Sequence, residues 1–252
     1  MTRLVLGIDE AGRGPALGAM VLAAVALEPS ASRRLSRAGV ADSKSFGSGA
    51  DAHAVRCRLA TLIQAHAAFF SLEICDVETI DAYVNRGALN VLERERAEAL
   101  VRAAPPCKRI VADGRRMFAG LRVVFPHLEA TDHAETKHVA VAAASILAKV
   151  HRDELFSQIV ARYEPHFGRI RGGGYVNACT RAFTDAYRAR FGTLPPEART
   201  SWPWTKQEER ETDPGLIGHA AKARRRMNGR PKTDSSTMLT ARAETEHQTT
   251  EA

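Results

Sequence analysis

The chain has 252 residues, with 36 lysines and arginines against 29 aspartates and glutamates, and a formal net charge of +7. A hydrophobic fraction of 44% is enough for a folded core, and the basic excess favours a polyanionic partner such as nucleic acid. The four cysteines form no C-x-x-C pair, which argues against a zinc ribbon and against a disulfide scaffold. The N-terminus is a poor signal peptide and the apolar runs are too short for a bilayer, so a soluble cytoplasmic protein with no membrane partner is expected.

The order of the apolar runs predicts two strands, followed by helices that alternate with single strands. The predicted strands are residues 3–8, 20–27, 66–74, 108–112 and 121–125, and the predicted helices are residues 51–64, 76–103, 135–163 and 179–191. A turn rich in glycine, from Gly12 to Gly18, separates the first two strands, and Pro105 ends the second helix. This order predicts an α/β protein with a mixed central sheet flanked by helices.

The composition changes abruptly after Trp204. Residues 206–252 contain no Phe, Tyr or Trp and are rich in Thr, Glu, Ala, Arg and Lys. Such a segment cannot bury enough apolar surface to offset its chain entropy, so we expect a folded domain of residues 1–204 and a disordered tail of residues 205–252. The basic stretch 222–232 favours loose contact with a phosphate backbone, and a solvated tail without a role fits it equally well.

Three carboxylates stand at the ends of predicted strands. Asp9 and Glu10 follow the first strand, and Asp113 follows the fourth. An aspartate near glycine is common in turns, which is the simpler interpretation of each one alone. Hard divalent cations such as Mg²⁺ prefer oxygen ligands, and adjacent strands would bring these side chains together. The pattern therefore also fits a site where two metal ions hydrolyse a phosphodiester.

Three further features suit a nucleic-acid ligand. Glycines around Arg13 would let the backbone approach an anion closely, although Arg13 could also be a solvated loop residue. Ser145 and Lys149 share one helix face and could bind a phosphate, although small residues around them also fit plain helix packing. Tyr175 follows three glycines and is either a core aromatic or a ring on which a sugar or base rests.

Taken together, these strings resemble the ribonuclease HII family over about residues 3–204. In chain order they are Gly7 to Pro15 (GIDEAGRGP), Asp42-Ser43-Lys44, Asp113-Gly114, Ala143 to Val150 (AASILAKV) with Arg152-Asp153, and Leu194-Pro195-Pro196 with Arg199 and Ser201-Trp202. The last string is similar to the archaeal and eukaryotic branch. The loop after Tyr175 departs from that branch, because it lacks the Pro-Ser-Asp-Pro that often follows the tyrosine.

The resemblance implies a ribonuclease H-like fold with a C-terminal helical part and a four-carboxylate site for Mg²⁺ or Mn²⁺. It also implies an endonuclease that hydrolyses the RNA strand of RNA/DNA hybrids and cuts at ribonucleotides embedded in duplex DNA, leaving 5′-phosphate and 3′-hydroxyl ends. Gly12, Arg13 and Gly14 would grip the backbone around the ribonucleotide, Tyr175 would stack beneath the next sugar, and Lys44, Ser145 and Lys149 would hold flanking phosphates. A monomer is expected. No sliding-clamp partner is expected, because the tail lacks the paired aromatics of clamp-binding tails in the related branch.

The fourth carboxylate is predicted to be Glu135, with Asp132 as the alternative. In the resembling family an aspartate precedes the serine of the Ala-Ala-Ser string by ten residues, and that count from Ser145 reaches Glu135. Asp132 has the favoured side chain but lies three residues too early. An incomplete set of carboxylates would leave a nucleic-acid-binding relative without turnover, and a junction resolvase of the same fold class is the rival enzyme.

Overall fold

A five-stranded sheet organises the chain, and the computed structural model describes residues 3–40 and 50–204. The strands are β1 (Val5–Ala11), β2 (Met20–Leu27), β3 (Phe69–Cys75), β4 (Arg109–Asp113) and β5 (Leu128–Thr131). The helices are α1 (Pro29–Arg37), α2 (Ala50–His66), α3 (Val77–Val84), α4 (Leu89–Ala103), α5 (Arg115–Phe118), α6 (Val139–Phe167) and α7 (Ala178–Phe191), with 3₁₀ helices at Ala119–Val123 and Ala134–Thr136. Asp42, Ser43, Lys44 and the predicted tail lie outside the described residues, and so does the second of the two units into which the chain divides, 214–252.

The sheet is mixed, as the order of the elements predicted. Its strand order is β3-β2-β1-β4-β5, with β1 antiparallel to β2, β2 antiparallel to β3, and β1, β4 and β5 parallel. Ile8 of β1 pairs with Ala112 of β4, and Asp113 pairs with Thr131 of β5. The carboxyl ends of these three parallel strands therefore meet at one end of the sheet, where Asp9 and Asp113 are level with each other.

Helices cover both faces of the sheet. Helices α1, α2 and α6 pack on one face, and α3, α4 and α5 pack on the other. Every residue of β2 is buried between these two layers, which explains its uninterrupted aliphatic sequence. A third apolar cluster joins the C-terminal half of α6, α7 and residues 194–204 to Ala16 and Leu17 in the turn after β1. No helix in the described part of the chain combines the length and apolar character needed to cross a membrane.

Gly7 allows helix α6 to lie directly against strand β1. A Cβ atom at this position would stand 2.1 Å from the carbonyl carbon of Ala140 and 2.2 Å from the backbone nitrogen of Val141. Both distances are far below contact, and both partners are backbone atoms that cannot rotate away. Only glycine therefore permits this approach, which brings the serine and lysine of α6 to the carboxylate of Asp9.

The strand predicted for residues 121–125 is wrong. Residues 121–123 belong to the 3₁₀ helix Ala119–Val123, and the carbonyl of Leu121 accepts the N–H groups of Val124 and Phe125. Val123 is 88% exposed, so its β-branched side chain has no sheet face to cover. A strand parallel to β4 must begin beside the start of β4, and the chain uses this segment to return there before β5 begins at Leu128.

Other boundaries differ from the prediction in ways that affect the site. The predicted helix 76–103 is two helices, because the chain turns at Gly87, whose φ is 65°. The helix predicted from residue 135 begins at Val139, so Glu135 lies in the preceding 3₁₀ turn. Strand β1 continues to Ala11, which places Asp9 and Glu10 inside the strand and not after it. Helix α1 was not predicted.

The contact at Gly7 leads to a prediction about stability. Gly7→Ala should lower the free energy of unfolding by about 3 kcal/mol or more, because the added methyl group overlaps backbone that cannot relax. Gly120→Ala is the matched control, since its Cβ would lie 3.5 Å from Arg94 Cδ, an ordinary contact. Thermal denaturation should place Gly7→Ala about 10 °C below the wild type and Gly120→Ala close to it. Equal melting temperatures for the two variants would contradict the assigned packing.

Candidate active site

Adjacent residues of β1 face opposite sides of the sheet, which gives Asp9 and Glu10 different surroundings. Gly7 lies against α6, and Asp9 shares its side. Leu6 and Ile8 belong to the core on the α4 side, and Glu10 shares theirs. The two neighbouring carboxylates therefore reach the end of the sheet from its two faces.

Asp9 is buried, and α6 supplies its polar partners. Its carboxylate accepts hydrogen bonds from the backbone N–H of Glu10, at 2.8 Å, and from the hydroxyl of Ser145. Lys149 Nζ donates to Ser145 Oγ at 2.6 Å, and its charge stabilises the ionised carboxylate. Burial nevertheless raises the pKa of Asp9, and nearby Glu135 adds to the rise. Ser145 is completely buried, so its position serves Asp9 and does not support the predicted contact with a flanking phosphate.

Asp113 ends β4 and faces the same space. Its Oδ1 accepts the N–H of Ala134 at 2.9 Å, and its carboxyl group is hydrogen-bonded to Glu135. Burial raises the pKa of Asp113 to about 7, and the charges of Asp9 and Glu135 contribute to the rise. The surroundings of this carboxyl group therefore shift its pKa from the ordinary 3.8 to about 7.

Glu135 and Asp132 occupy different environments. Glu135 is 3% exposed in the turn before α6, and its charge raises the pKa of both Asp9 and Asp113. Asp132 is exposed, and its Oδ1 accepts the backbone N–H of Arg115 at 2.9 Å. The structure brings Glu135 together with the strand-end carboxylates, whereas Asp132 caps the start of α5.

Glu10 reaches the cluster from the α4 side. Burial raises its pKa well above the ordinary value, and the charges of Asp9, Glu93 and Asp113 raise it further. Glu10 Oε2 is buried and has no hydrogen-bond partner among the described residues. An unsatisfied carboxylate oxygen beside other carboxylates is costly, and a cation would relieve that cost.

The donor set suits a hard divalent cation. Asp9, Glu10, Asp113 and Glu135 offer only oxygen atoms, which Mg²⁺ and Mn²⁺ prefer. Within residues 3–40 and 50–204, no three His, Cys, Asp or Glu side chains converge in the geometry of a complete metal-binding cluster. The fit to a metal rests on the orphaned Glu10 oxygen and on the chemistry of the four carboxylates.

The loop that follows β1 is held from behind by a C-terminal segment. Buried Arg199 donates to the carbonyl oxygens of Gly12 at 2.6 Å, of Arg13 at 3.0 Å, and of Gly18 at 2.8 and 3.0 Å. Trp202 Nε1 donates to the carbonyl of Gly14 at 3.0 Å. Burial lowers the pKa of Arg199 to about 9, so the guanidinium remains charged at neutral pH.

The side chain of Arg13 turns towards helix α4. Its guanidinium is ion-paired with Glu93 and donates to Asn90 Oδ1 at 2.8 Å. Glu93 is completely buried and is not among the site residues predicted from the sequence. A signal was present, because Glu93 is spaced four residues from both Leu89 and Ala97 on the apolar face of the helix. A charged residue at such a position indicates a buried partner.

Tyr175 stands beside the same loop. The residue is 49% exposed, and a Cβ on Gly14 would lie 3.0 Å from Tyr175 Cε1. The side chains of Thr180 and Asn177 each donate to its carbonyl oxygen at 2.9 Å, which fixes the backbone. Tyr175 is therefore not a core aromatic but an accessible ring next to Gly14.

Comparisons with known proteins agree on one family. The family model described as Ribonuclease HII matches residues 6–205. A ribonuclease HII of Caldivirga maquilingensis is 35% identical over 204 residues, covering 79% of this chain and 91% of its own.

Solved structures share the fold. The ribonuclease H2 of Pyrococcus horikoshii has a TM-score of 0.69 at 24% identity, over 82% of this chain and 98% of that one. The ribonuclease HII of Archaeoglobus fulgidus, solved in complex with PCNA, has a TM-score of 0.66 at 27% identity, over 81% and 96%. A Bst ribonuclease HIII in complex with Mn²⁺ has a TM-score of 0.63 at 20% identity, over 83% and 70%.

The raised pKa of Asp113 predicts how stability depends on pH without metal. The folded pKa is about 7, above the ordinary 3.8, so the stability linked to this group is complete below about pH 4 and is lost as the pH rises through 7. In EDTA, Asp113→Asn should melt several degrees above the wild type at about pH 8, with no advantage at about pH 4. Added Mg²⁺ should raise the melting temperature of the wild type more than that of the variant.

Asp132→Asn is the control for that experiment. Its carboxylate is exposed and hydrogen-bonded outside the cluster, so this variant should gain no stability at alkaline pH. An Asp113→Asn protein that melts below the wild type at about pH 8 would contradict the assigned repulsion.

Proposed function

Because the chain belongs to the ribonuclease HII family, and is therefore a ribonuclease H that hydrolyses the RNA of RNA/DNA hybrids as an endonuclease, we propose that it also cuts at ribonucleotides embedded in duplex DNA. One observation carries this proposal: the loop from Gly12 to Gly14 directly follows the strand that carries Asp9 and Glu10, and its Gly14 lies against the exposed Tyr175. A ribose bound against this loop would have its phosphate near the carboxylates.

Asp9, Glu10, Asp113 and Glu135 are proposed to hold two divalent cations, Mg²⁺ or Mn²⁺. When bound to these carboxylates, such ions would supply the activation of a water molecule and the stabilisation of the leaving oxygen of a phosphodiester, so that 5′-phosphate and 3′-hydroxyl ends would result. The Mn²⁺ complex of the structurally similar ribonuclease HIII supports the choice of metal. The charge of Lys149 and the hydrogen bond from Ser145 both lower the pKa of Asp9 against the effect of burial, and Glu93 holds Arg13, whose charge lowers the pKa of Glu10.

The loop is proposed to recognise the ribonucleotide through its backbone. In a trans peptide the carbonyl and the N–H point in opposite directions, and the described residues contain no cis peptide. The carbonyls of Gly12 and Arg13 face Arg199, so the N–H groups of Arg13 and Gly14 face the other way. Two such donors suit a 2′-hydroxyl and its phosphate, and they distinguish RNA from DNA. The Tyr175 ring is proposed to support the next sugar.

Several expectations about partners and location remain predictions. Lys44 and the tail, both expected to contact phosphates, lie outside the described residues. The Archaeoglobus relative was solved with PCNA, but residues 206–252 of this chain contain no aromatic residue of the clamp-binding kind, and we propose no clamp partner. A monomeric state and a cytoplasmic location are likewise expected from the sequence.

The metal mechanism predicts that Asp9→Asn abolishes cleavage. Its turnover should fall by about a thousandfold or more, because the amide has no negative charge with which to bind a cation or to face Lys149. The assay uses a DNA duplex with one ribonucleotide, with Mg²⁺ and with EDTA. Full activity in EDTA would exclude the metal mechanism. If the wild-type protein binds the duplex but does not cleave it with any divalent metal, the alternative is favoured, namely a nucleic-acid-binding relative without turnover.

Paired substitutions identify the fourth carboxylate. Glu135→Gln should lose at least about a hundredfold in rate, because the side chain lies in the cluster, while Asp132→Asn should stay near the wild type. Both are measured at saturating Mg²⁺ on the same duplex. Loss in the Asp132 variant alone would reverse the assignment, and loss in neither would mean that three carboxylates suffice.

The role of Tyr175 is tested by comparing two substitutions. Tyr175→Ala should lose about 1–3 kcal/mol of binding or transition-state stabilisation, because the stacking face disappears. Tyr175→Phe keeps the ring and should be much milder. Cleavage kinetics on the single-ribonucleotide duplex measure both, and equal losses would point to the hydroxyl group instead.

A further inference from the structure

Arg199 is a buried cation, and the side-chain hydrogen bonds that it donates to described residues all go to backbone carbonyls of one loop. Its guanidinium reaches Gly12, Arg13 and Gly18 at once, with distances between 2.6 and 3.0 Å. A planar fork of donors can bridge several carbonyls in fixed directions, whereas an ammonium group on a flexible stem cannot. The arginine therefore fixes the orientation of two successive peptide planes in the loop.

The segment that carries Arg199 is itself fixed. Asp81 of α3 accepts the N–H groups of Thr200 at 2.7 Å and of Ser201 at 3.2 Å, together with both hydroxyls. The ring of Trp202 lies 4.7 Å from the guanidinium carbon of Arg199. The arginine thus has little freedom to follow the loop, and the loop must adapt to it.

We infer that Arg199 is a positioning residue for ribonucleotide selectivity, because it turns the N–H groups of Arg13 and Gly14 away from the interior and towards the substrate. This inference rests on the proposed recognition of the ribonucleotide by the loop. Arg199 touches no substrate atom in this role. It acts only through the two peptide planes whose carbonyls it holds.

Trp202 provides a matched control within the same contact. Its indole N–H holds the carbonyl of Gly14, and the nitrogen of that peptide belongs to Pro15, which has no N–H. Trp202→Phe therefore removes a hydrogen bond to the loop without turning any donor, and it keeps an aromatic ring against Arg199. Arg199→Lys keeps the charge and removes the fork.

The test measures the affinity for two duplexes of the same sequence, one with a single ribonucleotide and one of DNA only. All proteins carry Asp113→Asn and are studied in Mg²⁺, so that the duplex stays intact. Arg199→Lys should lower the ratio of the two affinities about tenfold. The main change should be a weaker affinity for the ribonucleotide-containing duplex, because the N–H groups of Arg13 and Gly14 are no longer held in the direction of the substrate. Trp202→Phe should keep the ratio, and DNA-only binding should change by less than about twofold in both.

The possible results distinguish the role of Arg199 from the proposed recognition of the ribonucleotide by the loop. An unchanged ratio in Arg199→Lys, or an equal fall in Trp202→Phe, would overturn the role of Arg199 and leave the proposed recognition intact. Equal affinity of the parent protein for both duplexes would overturn recognition by the loop, and this inference with it. If Arg199→Lys fails to fold, Asp81→Asn replaces it. That variant loosens the segment and should lower the ratio about threefold, and an unchanged ratio there would also overturn the role.

Discussion

Contact between helix α6 and strand β1 at Gly7 decides where the chemistry of this protein lies. Because a glycine permits backbone-to-backbone approach, Ser145 and Lys149 reach Asp9 from above one face of the sheet. The turn that precedes α6 brings Glu135 to the same place. A larger residue at position 7 would push α6 away from β1 and would separate Ser145, Lys149 and Glu135 from the strand ends. The site therefore depends on a residue that has no functional group.

The rest of the fold stabilises the site against the electrostatic repulsion between its carboxylates. Burial raises the pKa of Asp9, Glu10 and Asp113, and the charges of neighbouring carboxylates raise it further, whereas Lys149, Arg13 and a few hydrogen bonds lower it. Such an arrangement costs folding free energy in the absence of a cation and favours its binding. The apolar layers on both faces of the sheet, with β2 fully buried between them, supply the stability that the carboxylate cluster removes.

The C-terminal segment has a comparable role for the loop after β1. Arg199 and Trp202 bind the carbonyls of Gly12, Arg13 and Gly14, which are far away in sequence. Carbonyls held on the inner side leave N–H groups on the outer side, beside Tyr175. In the proposed recognition of the substrate, the loop is thus oriented by Arg199 from behind, and the side chain of Arg13 is itself held by Glu93 and Asn90 on helix α4.

The sequence by itself determined the mixed α/β sheet, the strand-end carboxylates and the family, because aliphatic runs, glycine turns and long motifs are local features. It did not determine the strand Leu128–Thr131, since parallel pairing with β4 outweighed the β-propensity of residues 121–125. Nor did it determine that Ser145 serves Asp9, that Glu93 pairs with Arg13, or that Arg199 holds the loop. Those contacts join residues 80 to 187 positions apart, and only the packing of helices onto both faces of the sheet brings them within hydrogen-bond distance.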